Sequence, residues 1–371
     1  MVNSRLRSAL VQAALVRLER LRELLQCQHL EALWLTTLSH IRYLTGFSGS
    51  SASVLITAEA VHFFTDDRYD EQVRHELFPV PGLAIHITRE PVAVVAQQGL
   101  LRGIATVGFE ISLSYGTVLE LRRRWRPSRL IPFRGKLDEL FIVKTPAEIE
   151  LLRRAALIAS RTFEAVLESV RPGMTEHEVA AEISYRARQF GSEGDAFPII
   201  VASGERSALP HGRASARRLR KNDVITVDFG CIVGGYVSDI TRTFVLGRAS
   251  TDQRRVYQVV REAQEQALEA LQAGVRAREA DATARRVIEA AGFGAYFRHS
   301  LGHGIGRSVH EPPALSPRAP VRARLPEGAV VTVEPGIYLP GKFGIRIEDD
   351  VHVTATGAVL LTTATREFLS V

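Results

Sequence analysis

Four acidic residues stand in segments whose other residues are mostly apolar or β-branched, a composition typical of strands. They are Asp228 in VITVDFG, Asp239 in YVSDITRT, Glu334 in VVTVEPG and Glu348 in GIRIED. A carboxylate buried in a strand is costly unless a cation or hydrogen bonds compensate its charge. Taken singly, Asp228 could cap a turn and Asp239 could pair with Arg242. The four acids together predict a shared cation.

A histidine in a glycine-rich segment could complete such a site. His303 lies in LGHGIG, where the flanking glycines let the backbone approach closely and leave the ring free to enter a cleft. Four carboxylates and one imidazole form a hard, oxygen-rich donor set suited to two divalent metal ions, Mn²⁺, Co²⁺ or Zn²⁺. With only two cysteines in the chain, an all-thiolate or iron–sulfur site is excluded.

The ordered motifs VDFG, SDITRT, GHGIG, VEPG and RIED resemble the metallopeptidase family of aminopeptidase P and prolidase. The resemblance spans residues 140–365, and HIRYLTGFSGS and TDDRY extend it to the extra amino-terminal domain of that family. It implies a creatinase-like α/β domain at residues 1–139. It also implies an α+β catalytic domain with the pita-bread fold at residues 140–371, built from two similar halves around a dinuclear metal centre.

The resemblance also implies a role for each of the five metal-site residues. Asp228 would chelate one metal, Asp239 and Glu348 would bridge the pair, and His303 with Glu334 would complete the second site. Paired cations make hydroxide available near neutral pH for attack on a peptide carbonyl. Glu334 would then carry the proton to the leaving nitrogen.

Two further histidines match the substrate-binding histidines of the family. His211 lies in LPHG and His310 in VHE. The resemblance implies that both hydrogen-bond the scissile amide and stabilise the tetrahedral intermediate, as fixed donors do where charge develops. Without the metal set, either histidine would be expected simply on the surface or in the core.

Three more residues coincide with family positions near the metals. The resemblance implies a catalytic role for Arg346 and substrate binding for His299 and Tyr338. Strand alternation places Arg346 on the same side as Glu348, where it could offset the negative charge of the ligands. Structural roles stay open for two of them. Tyr338 could belong to the core, and Arg346 could pair with one of the two aspartates that follow Glu348.

Periodicity predicts the elements that position these residues. An amphipathic helix opens the chain, and strands are expected at 32–36, 53–57 and 60–65. A domain boundary is expected near Lys136 to Lys144, where Pro127, Pro132 and Gly135 cluster. Capping boxes at Thr145 and Thr175 open helices to about 170 and 190. We expect a hairpin to follow, formed by 224–229 and 236–245. After it we expect two helices, at 252–272 and 279–291, and three strands, at 330–334, 345–352 and 359–363.

Composition and charge exclude several classes of protein. The 371 residues are 46% hydrophobic and 24% charged, as expected for a globular protein of two domains. No apolar run is long enough for a membrane span, which predicts no membrane association and, with the few cysteines, a cytoplasmic location. The net charge is only +6, and neither of the arginine-rich runs 122–126 and 217–221 is interleaved with stacking aromatic residues on a recognisable nucleic-acid-binding fold. We therefore expect no nucleic-acid partner.

The resemblance implies an exopeptidase that acts on proline-containing peptides and cleaves between an amino-terminal residue and the following proline. We prefer an Xaa-Pro aminopeptidase, with an Xaa-Pro dipeptidase (prolidase) as the alternative. A pita-bread module that binds peptides or proteins without cutting them is the alternative of another class. The complete ligand set argues against creatinase-like and non-catalytic members, and the amino-terminal domain argues against methionine aminopeptidases. A homodimer is also implied.

Overall fold

The protein is described by a computed structural model that covers residues 4–126, 128–133 and 137–371. The start of the predicted domain boundary lies outside these described residues, which do not include Pro127, Gly135 and Lys136. The chain divides into two compact units, Met1–Phe141 and Ile142–Val371. In the described part of the chain, no helix combines the length and apolarity that a membrane crossing requires.

The first unit is a six-stranded sheet with helices. Its helices are α1 (Ser4–Cys27), α2 (Leu38–Thr45), α3 (Asp70–Glu76), α4 (Pro91–Gln97) and α5 (Tyr115–Arg124), and α6 (Glu139–Ile142) follows them. Its strands are β1 (Ala32–Leu35), β2 (Ser53–Thr57), β3 (Val61–Thr65), β4 (Leu83–Ile87), β5 (Thr106–Glu110) and β6 (Arg129–Phe133). The strand order is β4-β3-β2-β1-β5-β6. The pairs β3–β2 and β2–β1 are antiparallel, and the pairs β4–β3, β1–β5 and β5–β6 are parallel.

Apolar side chains of the sheet and of α4 and α5 form a core of the first unit. Trp34 and Phe64 on the sheet pack with Val95 of α4 and Leu121 of α5, and all four are almost fully buried. The ring of Trp125 meets Trp34 edge-on at 5.1 Å between centroids. Burial of large aromatic rings contributes strongly to the stability of such a core.

The second unit contains two successive sets of helices and strands. The first set is α7 (Pro146–Leu167), α8 (Glu176–Gln189), β7 (Ile200–Ser203), β8 (Val224–Phe229), β9 (Ile232–Val233), β10 (Tyr236–Val237) and β11 (Ile240–Val245). The second set is α9 (Thr251–Ala270), α10 (Ala277–Ala290), β12 (Gly302–Gly304), β13 (Glu311–Leu315), β14 (Val330–Val333), β15 (Gly336–Leu339), β16 (Phe343–Arg346), β17 (Asp349–Thr354) and β18 (Gly357–Leu360). Both predicted capping boxes are present, at the starts of α7 and α8.

Each set forms its own hydrophobic core, as expected of two similar halves. In the first half, α7 and α8 pack on the three-stranded sheet β11-β8-β7 through residues such as Phe163, Ile183 and Val227. In the second half, α9 and α10 pack with strands of the β13-β12-β14-β17-β18 sheet and with β16 through residues such as Val260 and Ile345. The helix pair, strands, helix pair, strands order predicted from the sequence is therefore present.

Two predicted strands are interrupted, and each interruption carries an acidic residue. The segment 236–245 divides into β10 and β11 with Asp239 between them, and 345–352 divides into β16 and β17 with Glu348 between them. At these breaks the backbone changes partner: the amide of Asp239 donates to Asp350 Oδ2 at 3.0 Å, and the amide of Glu348 donates to the Thr241 carbonyl at 3.1 Å. The expectation of continuous strands here was wrong.

The predicted hairpin is present, because β8 pairs antiparallel with β11, which brings Asp228 opposite Thr241. The Gly234–Gly235 turn joins two additional short strands, β9 and β10. The glycine-rich segment after α10 contains a further strand, β12, which lies between β13 and β14. A side chain at Gly302 would overlap the carbonyl of Thr332, so this close approach requires glycine.

A buried arginine links β11 to the start of β17 and to the carboxyl-terminal segment. The guanidinium of Arg242, which is 2% exposed, donates to Asp349 Oδ1 at 2.6 Å and to the carbonyls of Glu348, Thr365 and Ala364. Because Arg242 belongs to the first half and Asp349 to the second, this clamp joins the two halves beside one of the acidic breaks.

Replacing Arg242 by methionine should lower the free energy of unfolding by about 3–5 kcal/mol, because Asp349 would remain buried without its cation. Arg153→Met is the matched control: its ion pair with Glu150 is exposed and should contribute less than about 1 kcal/mol. Urea unfolding followed by circular dichroism measures both losses. Tryptophan fluorescence would not report on the second unit, because both tryptophans lie in the first unit. A loss below about 1 kcal/mol in Arg242→Met would contradict the clamp.

Candidate metal centre

The second unit contains a cleft of about 690 Å³ that collects most of the residues singled out in the sequence. Its polar lining includes Asp228, Asp239, His303, Glu334, Glu348, His211, His299, His310 and Arg346. Tyr338 lies behind the lining, in contact with Arg346 and His299. Phe197, Pro198, Ile200 and Val309 provide apolar walls. Residues separated by more than a hundred positions of sequence therefore face one cavity.

Three of the predicted ligands are close enough to share one cation. Single donor atoms of Asp239, His303 and Glu348 all lie within 4.8 Å of one another. His303 Nε2 also lies 3.4 Å from Glu334 Oε1 and 3.8 Å from Asp239 Oδ2. This arrangement can bring carboxylate oxygens and one imidazole nitrogen to the same ion.

Unpartnered oxygen atoms show that this donor set fits a cation. Oδ1 of Asp228 and Oδ1 of Asp239 are buried and accept no hydrogen bond from the described residues. Asp228 is 8% exposed and Asp239 is 5% exposed, so water cannot easily serve both atoms. Buried carboxylate oxygens that lack donors are the expected ligands of a divalent metal.

Burial and mutual repulsion disfavour negative charge on these carboxyl groups when no cation is bound. Burial, then the charge of Glu348, raises the pKa of Asp239 well above its usual range, and burial, then Glu334, does the same for Glu348. Burial also raises the pKa of Asp228 and raises that of Glu334 to about 8, although Arg346 opposes both shifts. A divalent cation would supply the positive charge that this cleft lacks.

Two half-buried histidines of the cleft, His303 and His299, are neutral near pH 7. Burial, then the neighbouring His310, lowers the pKa of His303 to about 4. Burial, then the charge of Arg346, lowers the pKa of His299 to about 4. Neutral imidazole is the form that ligates metals, so His303 is ready to bind an ion across the physiological pH range.

Arg346 organises one wall of the cleft. Its Nη2 donates to Asp228 Oδ2 at 2.6 Å, its Nε to Thr241 Oγ1 at 2.9 Å and its Nη1 to the Tyr338 hydroxyl at 2.8 Å. The same hydroxyl lies 3.0 Å from Nε2 of His299. Arg346 therefore pairs with Asp228, not with either aspartate that follows Glu348, and it connects Tyr338 and His299 to the metal-site acids.

The structure also decides two purely structural roles that the sequence left open, an ion pair of Asp239 with Arg242 and a core position for Tyr338. Asp239 does not pair with Arg242, whose guanidinium contacts Asp349 instead. Tyr338 is buried, at 6% exposure, yet its hydroxyl is hydrogen-bonded to two cleft residues. Burial and the charge of Arg346 act in opposite directions on this phenol, and burial prevails and raises its pKa to about 12.

Two threonines that the sequence analysis did not single out hold the acidic residues. Thr241 Oγ1 donates to Glu348 Oε2 at 2.5 Å while accepting from Arg346. Thr332 Oγ1 lies 3.3 Å from Glu334 Oε1 and accepts from the amide of His303. Thr241 follows Asp239 by two positions and Thr332 precedes Glu334 by two. That spacing was a usable signal, but threonine in a strand looks like an ordinary strand former.

His211 and His310 are both exposed residues of the cleft lining. The His310 ring lies 4.3 Å from that of His303, measured between centroids. Because neither side chain is enclosed by the protein, both can contact a molecule that enters the cleft.

Two family models match this chain. Residues 150–355 match "Metallopeptidase family M24", and residues 17–141 match "Creatinase/Prolidase N-terminal domain". The Xaa-Pro dipeptidase of Pyrococcus furiosus is 42% identical over 270 residues, which cover 73% of this chain and 77% of the relative.

Solved structures of related enzymes share the fold of this chain over nearly its whole length. An Xaa-Pro dipeptidase from Bacillus anthracis is 39% identical, with a TM-score of 0.91 and coverage of 96% of this chain and 100% of that chain. An X-Pro aminopeptidase from Thermotoga maritima is 38% identical, with a TM-score of 0.88 and coverage of 95% and 99%. The fold class and the family expected from the motifs are confirmed. The chain belongs to metallopeptidase family M24 and carries the creatinase/prolidase amino-terminal domain of such enzymes.

Proposed function

We propose that the protein is a metal-dependent Xaa-Pro dipeptidase, which hydrolyses the bond between an amino-terminal residue and a carboxyl-terminal proline. The observation that carries this proposal is the end-to-end similarity to an Xaa-Pro dipeptidase, with 96% of this chain and 100% of that chain covered. It replaces the preference for an aminopeptidase reached from the motifs. The homodimer and the cytoplasmic location stay predictions.

Two divalent ions, Mn²⁺, Co²⁺ or Zn²⁺, are proposed as the cofactors. Asp228, Asp239, His303, Glu334 and Glu348 would hold them. The partnerless oxygens of Asp228 and Asp239 and the convergence of Asp239, His303 and Glu348 support this assignment. When bound, such ions supply a Lewis acid for the carbonyl and a bound water that ionises near neutral pH.

The proposed proton carrier is Glu334. Its side chain is 18% exposed to the cleft, whereas Glu348 is 2% exposed, so Glu334 can exchange a proton with a bound substrate. A carboxylate beside a bound water can take up its proton and pass it to a leaving nitrogen. The transfer is needed because a peptide nitrogen, including that of proline, leaves as an amine only after it gains a proton.

The exposed rings of His211 and His310 are proposed to bind the substrate. Their imidazole N–H groups would donate to the scissile carbonyl and to the oxyanion that forms from it. Arg346 keeps Asp228 in place and, through Tyr338, orients His299, so we assign positioning roles to these residues.

A second candidate is an Xaa-Pro aminopeptidase that accepts longer peptides. The specific observation in its favour is the similarity to the X-Pro aminopeptidase from Thermotoga maritima, at 38% identity. Both candidate enzymes would cleave the bond that precedes proline with the same proposed metal ligands, so the preferred length of the substrate distinguishes them.

Removing one proposed bridging ligand should abolish hydrolysis without unfolding the chain. Asp239→Ala should lower kcat/KM for a Mn²⁺-loaded enzyme by more than about 100-fold, because a lost ligand should cost more than the loss of an outer hydrogen bond. Asp252→Ala, which removes an exposed aspartate of α9, is the control and should retain full activity. Full activity in Asp239→Ala would contradict the metal site. No hydrolysis by the Mn²⁺-loaded wild-type protein would instead favour a non-catalytic binding module.

The dipeptidase proposal predicts a clear order of substrates. Steady-state kinetics should give a higher kcat/KM for an Xaa-Pro dipeptide than for a tetrapeptide with the same first two residues. EDTA should abolish both activities, and Mn²⁺ or Co²⁺ should restore them. Faster cleavage of the tetrapeptide would overturn the dipeptidase proposal in favour of the aminopeptidase.

Thr241→Val should separate positioning from ligation. Valine keeps the shape and packing of the residue but removes the hydroxyl between Glu348 and Arg346, so we expect about a 10- to 100-fold loss in Mn²⁺ affinity or activity. Thr283→Val, at a half-buried position of α10 that does not line the cleft, is the control. Isothermal titration calorimetry with Mn²⁺ and kinetics at saturating metal measure the two effects; unchanged values in both would refute the role of Thr241.

A further inference from the structure

The cleft is rich in acids, but two arginines also contribute to its lining. Arg346 has all of its contacts within the protein, since it donates to Asp228, Thr241, Tyr338 and the Pro210 carbonyl. The second, Arg213, is exposed, and its guanidinium makes no hydrogen bond or ion pair with any residue that the structure describes. Arg213 is thus a free cation in a cleft otherwise dominated by carboxylates.

Strand pairing puts Arg213 on the same face as the metal-site acids. Ile200 of β7 lies opposite Asp228 of β8, and a bridge on its other side pairs Ile200 with Arg213. Directly opposed residues of antiparallel strands project to the same face. These cross-strand partners form a row of residues across the sheet, in the order Arg213, Ile200, Asp228, Thr241. The first three residues of this row line the cleft.

The spacing of this row matches the length of a dipeptide. Neighbouring strands lie about 4.8 Å apart, so the Arg213 backbone is roughly 10 Å from that of Asp228. An extended dipeptide spans about 7 Å. A substrate with its scissile bond near Asp228 can therefore direct its carboxyl end along the row toward Arg213, whose long side chain covers the remaining distance.

The backbone of Arg213 is held firmly enough to act as a specificity element. Its carbonyl accepts a hydrogen bond from Arg206 Nη2 at 2.7 Å, and Arg206 is in turn paired with the buried Glu176. Glu176, which is 0% exposed, also accepts from the amides of Ser203 and Ser215, on either side of the segment that carries Arg213.

We propose that Arg213 binds the carboxyl-terminal carboxylate of the dipeptide substrate and so selects free dipeptides over longer or amidated peptides. This inference rests on the proposed dipeptidase function. A guanidinium matches a carboxylate with two parallel hydrogen bonds, whereas the amide that follows proline in a longer peptide has no charge to pair with it. Arg213 also offsets the repulsion between the substrate carboxylate and the acids of the cleft.

The test compares Ala-Pro with its amide, Ala-Pro-NH₂, on the Mn²⁺-loaded full-length protein. Arg213→Gln should lower kcat/KM for Ala-Pro by about 10- to 100-fold, chiefly through KM, which corresponds to the loss of hydrogen bonds to a charged group. The value for the amide should change by less than about 2-fold. Arg213→Lys, which keeps the charge, should recover part of the lost dipeptide activity.

Arg220→Gln is the matched control, because Arg220 is exposed, follows Arg213 by seven positions and does not line the cleft. It should leave the ratio of the two substrates unchanged. An equal loss for Ala-Pro and its amide in Arg213→Gln, or no loss for Ala-Pro, would overturn the inference while leaving the dipeptidase proposal intact. Failure of the wild-type protein to cleave Ala-Pro would overturn both.

Discussion

The concentration of negative charge in one buried cleft is the constraint on which the second unit depends. Four carboxyl groups converge there, and the pKa of each is raised chiefly because burial disfavours the ionised form. One buried arginine pairs with a single member of the group, Asp228. Without cations, such a cluster is neutralised by binding protons, whereas divalent cations would compensate its ionised form, so the site and the proposed chemistry are linked.

The two halves of the unit meet at this cluster. Asp239 and Glu348 occupy breaks between strands, where the backbone leaves one ladder and bonds to the opposite half. Thr241, Thr332 and Arg346 then fix the side chains by hydrogen bonds, and the Arg242–Asp349 pair joins the halves just behind them. The halves supply different members of the proposed ligand set, so neither half alone could form the proposed centre.

Local signals accounted for much of the fold. The capping boxes at Thr145 and Thr175 marked the starts of α7 and α8, since they depend only on residues three positions apart. The three strands predicted for the first unit, β1, β2 and β3, are also present. The continuous strands at 236–245 and 345–352 were not, because period-two alternation does not reveal where a backbone amide finds a partner from a distant segment. The preference for longer substrates over dipeptides came from an overall resemblance to short bacterial Xaa-Pro aminopeptidases, and the motifs themselves are shared by both kinds of enzyme.

By itself, the sequence determined the composition of the site: four acids and a histidine in segments that must be buried, in an order that marks their family. Only the tertiary structure decided which atoms meet. The pairing of Arg346 with Asp228, the hydroxyl of Thr241 between Glu348 and Arg346, and the row that ends in Arg213 all join residues from different strands. The physical reason is that residue type and spacing govern local conformation, whereas partnership depends on strand register across the sheet.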